Sequence, residues 1–212
     1  MIDINKVHHT KNNGDLIVIN YLNANAVMVK FLDTGFEVVT SSRQIKSGDI
    51  KDKIKPSAYG VGFIGNGKYK PTMNRIATKA YTVWRDMIRR CYSEKSLKKC
   101  PTYNNVSVCD EWHNFQNFAE WFSVNYIQGH ELDKDIKIGG NKVYSPESCI
   151  FARPIDNIRK ATAKNYELTS PEGLVVSINN LSEFCRGKGL HQANMCAVYH
   201  GTDKSYKGWT KC

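Results

Sequence analysis

The hydrophobic period of this chain changes twice along its length, and those changes constrain the fold more than any single motif. Residues 13–65 carry short apolar runs, Asp15 to Tyr21, Ala26 to Phe31 and Phe36 to Thr40, separated by turn-forming stretches such as Asp33-Thr34-Gly35. Runs of this length bounded by Gly and Asp predict strands, and Ser47-Gly48-Asp49 and Tyr59-Gly60-Val61-Gly62 predict later bends. From Thr72 the apolar residues recur at helical spacing: Ile76, Tyr81, Trp84, Met87, Ile88 and Cys91 share one face. Pro101 to Asn105 interrupts that helix, after which Trp112, Phe115, Phe118, Ala119, Trp121 and Phe122 mark a second one beginning near Asp110. Beyond Asn165, strand-like runs return around Pro171-Glu172-Gly173, followed by two short helical stretches. Strands, then helices, then a mixture predict an α+β chain.

Three units follow from this order. Residues 1–70 are expected to form a small SH3-like β-barrel, an accessory module open to a protein partner. Residues 71–163 form a central helical region with a short strand-loop-strand-helix segment, and residues 164–212 a hairpin with a helix-turn-helix. A length of 212 residues accommodates two or three such units without one large core.

Thirty Lys and Arg against twenty Asp and Glu give a net charge of +10, which favours a polyanionic partner through phosphate contacts and counterion release. Charge does not distinguish DNA from RNA or an anionic membrane. Residues 75–99 concentrate eight Lys or Arg against two acids. Arg75, Lys79, Arg85, Arg89 and Arg90 fall mostly off the apolar face, as a phosphate-tracking surface or a merely solvated one would have them. The aromatics of the second helix are spaced for burial against the first, not for stacking bases.

No apolar run approaches the ~20 residues of a membrane span, and Met1-Ile2-Asp3 opens no signal peptide, so a cytoplasmic protein without a membrane partner is expected. Seven cysteines without a C-x-x-C pair predict free thiols. Cys91, Cys100 and Cys109 recur at nine-residue intervals with His113 four residues on, which leaves a structural Zn²⁺ open although such ligands usually stand closer in sequence. No phosphate loop or dinucleotide fingerprint occurs, which argues against kinase, redox or nucleotide-cofactor chemistry.

Residues 75–160 carry five short motifs in order: Arg90-Cys91-Tyr92, Val108-Cys109-Asp110-Glu111-Trp112, Leu132-Asp133-Lys134-Asp135-Ile136, Tyr144-Ser145-Pro146-Glu147-Ser148-Cys149, and Asn157. Together they resemble the phage-type branch of the HNH, or His-Me finger, homing endonucleases. That resemblance implies a ββα-metal finger with strands near Leu132 and Cys149 to Ala152 and a helix from about Pro154. It implies one divalent ion, Mg²⁺ or Mn²⁺, held by Asp133 and Asn157, which stabilises the departing 3′ oxygen while a base on the strand activates water. Asn141 matches the residue that orients this base.

The base position falls on Lys134 where well-studied HNH enzymes have His. A lysine of ordinary pKa near 10.4 is protonated at neutral pH and accepts no proton. Asp135 and His130 stand within a few residues as substitutes, although strand alternation puts Asp135 on the Asp133 face and Lys134 on the other. A finger kept for DNA docking without catalysis is therefore the second expectation.

The tail resembles the C-terminal repeat of many homing endonucleases, in which a helix-turn-helix lays its second helix in the major groove. Asn180 to Arg186 predicts one helix, Gly187 to Leu190 the turn, and His191 to Tyr199 the second helix, closed by a strand over Tyr206 to Trp209. The resemblance implies that His191, Gln192 and Asn194 open the recognition helix, where Gln and Asn read adenine edges, and that Lys188, Lys204 and Lys207 hold phosphates. An exposed helix start with no base contact fits His191 and Gln192 equally. A finger followed by a reader of double-stranded DNA suits an enzyme that nicks or cleaves one long site; one finger per chain favours nicking.

Overall fold

The computed structural model describes residues 3–4, 6–156, 158 and 164–212. Its contacts divide the chain into two compact units, Met1–Phe151 and Ala152–Cys212.

The first unit opens with four strands, β1 (Val7–His9), β2 (Asp15–Asn23), β3 (Ala26–Phe31) and β4 (Glu37–Thr40), paired as an antiparallel meander in chain order. Alternation along β2 and β3 buries Leu16, Val18, Val27, Val29 and Phe31 on one face. The expected barrel is replaced by an open sheet: among the described residues no sheet closes on itself. The inner face is covered instead by Ile45 and Ile50. Ile45 belongs to α1 (Ser42–Ser47), a helix that stands just before the bend expected at Ser47-Gly48-Asp49; Ser41 and Gln44 form a capping box at its start and Gly48 a left-handed cap at its end.

A second core joins α2 (Lys79–Tyr92), a short β7 (Ser107–Val108), α4 (Asp110–His113) and α5 (Phe115–Asn125), after the six-residue α3 (Glu94–Lys99). Trp84, Met87, Ile88 and Cys91 face Trp112, Phe115, Phe118, Ala119 and Phe122, so the aromatics predicted as core are core. The second helix is broken where one was expected, because Asn114 adopts an extended conformation and its side chain caps α5 by accepting from the Gln116 amide at 2.9 Å. Ala58, Val61, Ile64 and Tyr69, read as the end of the β unit, pack on this helical core. Gln116 ties them there: its Oε1 accepts from Tyr69 N at 2.9 Å, and its Nε2 donates to Ile64 O at 3.1 Å and Tyr69 O at 2.9 Å.

Ile76, placed on the helical face by its spacing, lies outside α2 and is 73% exposed. It belongs to a two-strand ribbon, β5 (Thr72–Met73) and β6 (Ile76–Ala77), whose turn residues Asn74 and Arg75 have φ of 50° and 65°. Both central residues at positive φ make a turn of the type that matches strand twist. Asn tolerates this conformation, whereas Arg at φ 65° carries a strain of about 1–2 kcal/mol.

In the second unit residues 154–156 are helical. The unit continues with a hairpin of β11 (Asn165–Thr169) and β12 (Val175–Asn179), the helices α6 (Leu181–Lys188) and α7 (Gln192–His200), and a closing hairpin of β13 (Ser205–Tyr206) and β14 (Trp209–Lys211) in place of the single strand expected. Sheet order is β12-β11-β14-β13, and Leu168, Ile178, Leu181, Cys185, Met195, Val198 and Trp209 fill the core. Gly189 and Gly201 terminate the two helices in the left-handed conformation. No described helix is long and apolar enough to cross a membrane.

Candidate metal-ligand strand and nucleic-acid surfaces

Asp133 ends a three-residue strand, β8 (Glu131–Asp133), which pairs with β10 (Ile150–Ala152). The loop 134–142 leads to β9 (Val143–Tyr144), which runs parallel to β7. Strand, loop, strand and a helical stretch from 154 thus occur in the predicted order, and Asn157 lies outside the described residues. The Asp133 carboxylate is half committed: Oδ1 accepts from the amides of Asp135 at 2.7 Å and Ile136 at 2.6 Å. These bonds fix the start of the loop and orient the carboxylate, leaving Oδ2 outside that pair of bonds. The described residues hold no group of three His, Cys, Asp or Glu placed to bind a metal ion. Asp133 Oδ2 is the oxygen of this carboxylate that neither amide engages.

Lys134, expected at the base position, is 7% exposed. Its ammonium donates to Asp135 Oδ1 at 2.8 Å, Asp135 Oδ2 at 2.7 Å and Asn141 O at 2.8 Å, and lies 5.9 Å from the Tyr144 ring centre. Three donated bonds use all three N–H groups of an ammonium. Lys134 therefore acts as an internal clamp on the loop, and the Asp135 carboxylate is the group it clamps. Asn141 completes the clamp from the other side, its Nδ2 donating to Lys134 O at 3.0 Å and Val143 O at 2.6 Å. The structure brings Asp133, Lys134, Asp135 and Asn141 together at this strand end and loop, through bonds from their side chains to one another and to the loop backbone. His130, the remaining candidate base, is half-buried, with Nδ1 3.2 Å from Gln128 O.

The Tyr-Ser-Pro-Glu-x-Cys motif is a turn. Ser148 Oγ donates to Val143 O at 2.8 Å, and Cys149 N donates to Ser145 O at 3.0 Å. Tyr144 is buried with its hydroxyl 3.5 Å from that of Tyr103, and burial pushes its pKa up. Burial opposes the charge of Arg90, but the Tyr144 and Tyr103 phenols beside it more than offset this, so its pKa stands above the ordinary arginine value. Arg90 also lines a cleft of about 190 Å³ with Lys79, Asp86, His130, Glu131 and Tyr144. Arg89 is drawn back toward Asp86 at 3.3 Å and Ser96 at 3.3 Å, and Arg85 lies over the Tyr81 ring at 5.7 Å. Of the three predicted phosphate contacts on α2, only Arg85 lacks a polar partner among the described residues.

Burial raises the Cys149 thiol to about 12 and the Cys91 thiol to about 11. A thiol-specific disulfide reagent at pH 8 is expected to modify exposed Cys100 and Cys212 first and to reach Cys91 and Cys149 only on unfolding, as mass mapping of the labelled peptides would show. Early labelling of Cys149 would contradict the packing described for the turn.

In the second unit His191 caps α7 without a side-chain bond, His191 and Gln192 are exposed, and Asn194 is half-buried. Lys188 and Lys204 are exposed. Lys207 is exposed too, and its ammonium donates to Gly189 O at 3.4 Å across the turn between the helices. Comparison with protein-family models, with curated proteins and with solved structures returns no match for this chain.

Proposed function

We propose that this chain binds a long site on double-stranded DNA and nicks or cleaves it, as a metal-dependent endonuclease of the homing type with the HNH-like strand-loop-strand as its catalytic segment. The observation that carries this reading is the setting of Asp133: a carboxylate at a strand end, one oxygen fixed by two amides at 2.6 and 2.7 Å. Such an arrangement pre-orients the other oxygen toward a cation. Asp133 and Asn157 would hold Mg²⁺ or Mn²⁺, and the ion would supply stabilisation of charge on the departing oxygen. His130 takes the place of the strand base, since Lys134 and Asp135 are joined to each other. The helix-turn-helix supports site recognition through the exposed His191 and Gln192, with Asn194 beside them, at the start of α7.

The clamp around Lys134 favours a second reading, a DNA-binding protein that keeps the segment as scaffold. A supercoiled plasmid carrying the neighbouring genomic sequence separates the two. With Mg²⁺ or Mn²⁺ the wild type is expected to yield open circle or linear product, and Asp133→Ala and Asn157→Ala to slow this about 100-fold or more, the order lost when a charge-stabilising group is removed. Binding without conversion by the wild type would leave the scaffold reading.

A further inference from the structure

The β5–β6 ribbon has no role in the strand-loop-strand or the helix-turn-helix, yet it combines three features that its own stability does not require. Met73 and Ile76 are 63% and 73% exposed, and they are cross-strand partners, so their side chains stand together on one face. Between them Asn74 and Arg75 form the turn, with Arg75 at φ 65° in the position where a glycine is favoured. The stretch 68–79 carries Lys68, Lys70, Arg75 and Lys79 and no acid. Lys68 is engaged by Glu120 at 3.2 Å, whereas no acid pairs with Lys70, Arg75 or Lys79 among the described residues.

The ribbon is also firmly mounted. Thr78 N donates to Pro71 O at 2.9 Å and Thr78 Oγ1 to Lys70 O at 3.2 Å, closing the base of the ribbon, while the same side chain caps α2. A strained arginine and two exposed apolar side chains are thus presented at a fixed position beside a basic helix start.

Cations alone would suit phosphates, and an apolar pair alone would suit a protein or a lipid surface. An arginine flanked by Met and Ile at one tip is the composition that enters the minor groove and wedges between base steps. The minor groove, about 6 Å wide, admits side chains of a tip and excludes a whole two-stranded ribbon. We infer that the β5–β6 ribbon is a minor-groove wedge for duplex DNA. Arg75 occupies the groove, Met73 and Ile76 press on a base step, and Lys70 and Lys79 hold the flanking phosphates. This rests on the DNA-binding part of the proposed function and extends it to a surface outside the two motifs that suggested it.

The test uses the full chain with Arg75→Gly and with Met73→Ser/Ile76→Ser. Binding is read by fluorescence anisotropy on the neighbouring genomic duplex at several KCl concentrations, and unstacking by 2-aminopurine placed along the site. Arg75→Gly relieves the turn, so it is expected to keep or raise Tm while weakening binding about tenfold and lowering the salt slope by about one. Met73→Ser/Ile76→Ser is expected to keep Tm and the salt slope and to lose the 2-aminopurine signal. Wild-type binding with both variants unchanged would overturn the wedge and leave DNA binding standing; no binding by the wild type would overturn both. Binding to phosphatidylglycerol vesicles that Met73→Ser/Ile76→Ser abolishes, with DNA affinity unaltered, would overturn the wedge in favour of a lipid surface.

Discussion

Trp84→Ala is expected to lower the stability of the first unit by about 3–5 kcal/mol, the range for removing a large aromatic side chain from a packed core. Trp84 is fully buried, with ring centres 5.7 Å from Tyr81 and 5.5 Å from Phe115, and its Nε1 donates to Trp112 O at 2.7 Å. It therefore links the packing of α2 to the end of α4 by both an apolar surface and a buried hydrogen bond. The fit extends to Gly62, where an added Cβ would stand 2.8 Å from the Trp84 ring, so the backbone of the preceding loop is moulded to this side chain. Trp84→Phe separates the two contributions. It retains most of the ring contact and removes the donor from Trp112 O, for an expected cost of about 1–3 kcal/mol. Urea unfolding followed by far-UV circular dichroism gives both values, and an alanine variant within 1 kcal/mol of wild type would be incompatible with Trp84 as the centre of this core.

The same core shows why parts of the fold are legible in sequence and others are not. Trp84, Met87, Ile88 and Cys91 repeat at helical spacing inside α2, and their burial follows directly from the period. Ile76 continues that spacing by coincidence, because the helix starts only after Thr78 caps it; the ribbon before it is hard to see since its turn reads Asn-Arg, not Asn-Gly. From β11 to the end of α6 in the second unit the turn chemistry is conventional, unlike the closing hairpin, whose turn holds Lys207 at φ 47°. Pro171-Glu172-Gly173 closes the hairpin, and Asn180 and Gly189 bound α6, so element order and approximate ends are readable there. At the candidate site, Asp133 could be named from its motif, but the burial of Lys134 could not. A lysine beside two aspartates reads as surface charge, and only the loop closure set by Asn141 brings Asn141 O and the Asp135 carboxylate onto one ammonium. The barrel expected at the N-terminus failed for a related reason: strand runs specify pairing, whereas Ile45 and Ile50, which cover the sheet in place of further strands, sit in segments without strand-like alternation.

Lys134→Met is expected to cost about 2–3 kcal/mol, and the way it does so distinguishes a clamp from a base. Breaking a fully buried ion pair costs more, about 3–5 kcal/mol, but the Asp135 side chain is 39% exposed and partly recovers hydration when its partner is lost. The Asn141 carbonyl loses its donor as well, so hydrogen exchange of the loop amides 134–142 is expected to accelerate. If Lys134 were instead a proton acceptor in the reaction, methionine would abolish conversion of the plasmid while leaving loop exchange unchanged. The clamp predicts coupling: Asp135→Asn should weaken the loop in the wild-type background and have a much smaller effect in Lys134→Met, giving an interaction energy of about 1–2 kcal/mol in the double-mutant cycle. Additive costs from the two substitutions would show that the 2.7 and 2.8 Å contacts between these side chains contribute no net stability, and would return Lys134 to consideration as a reactive group.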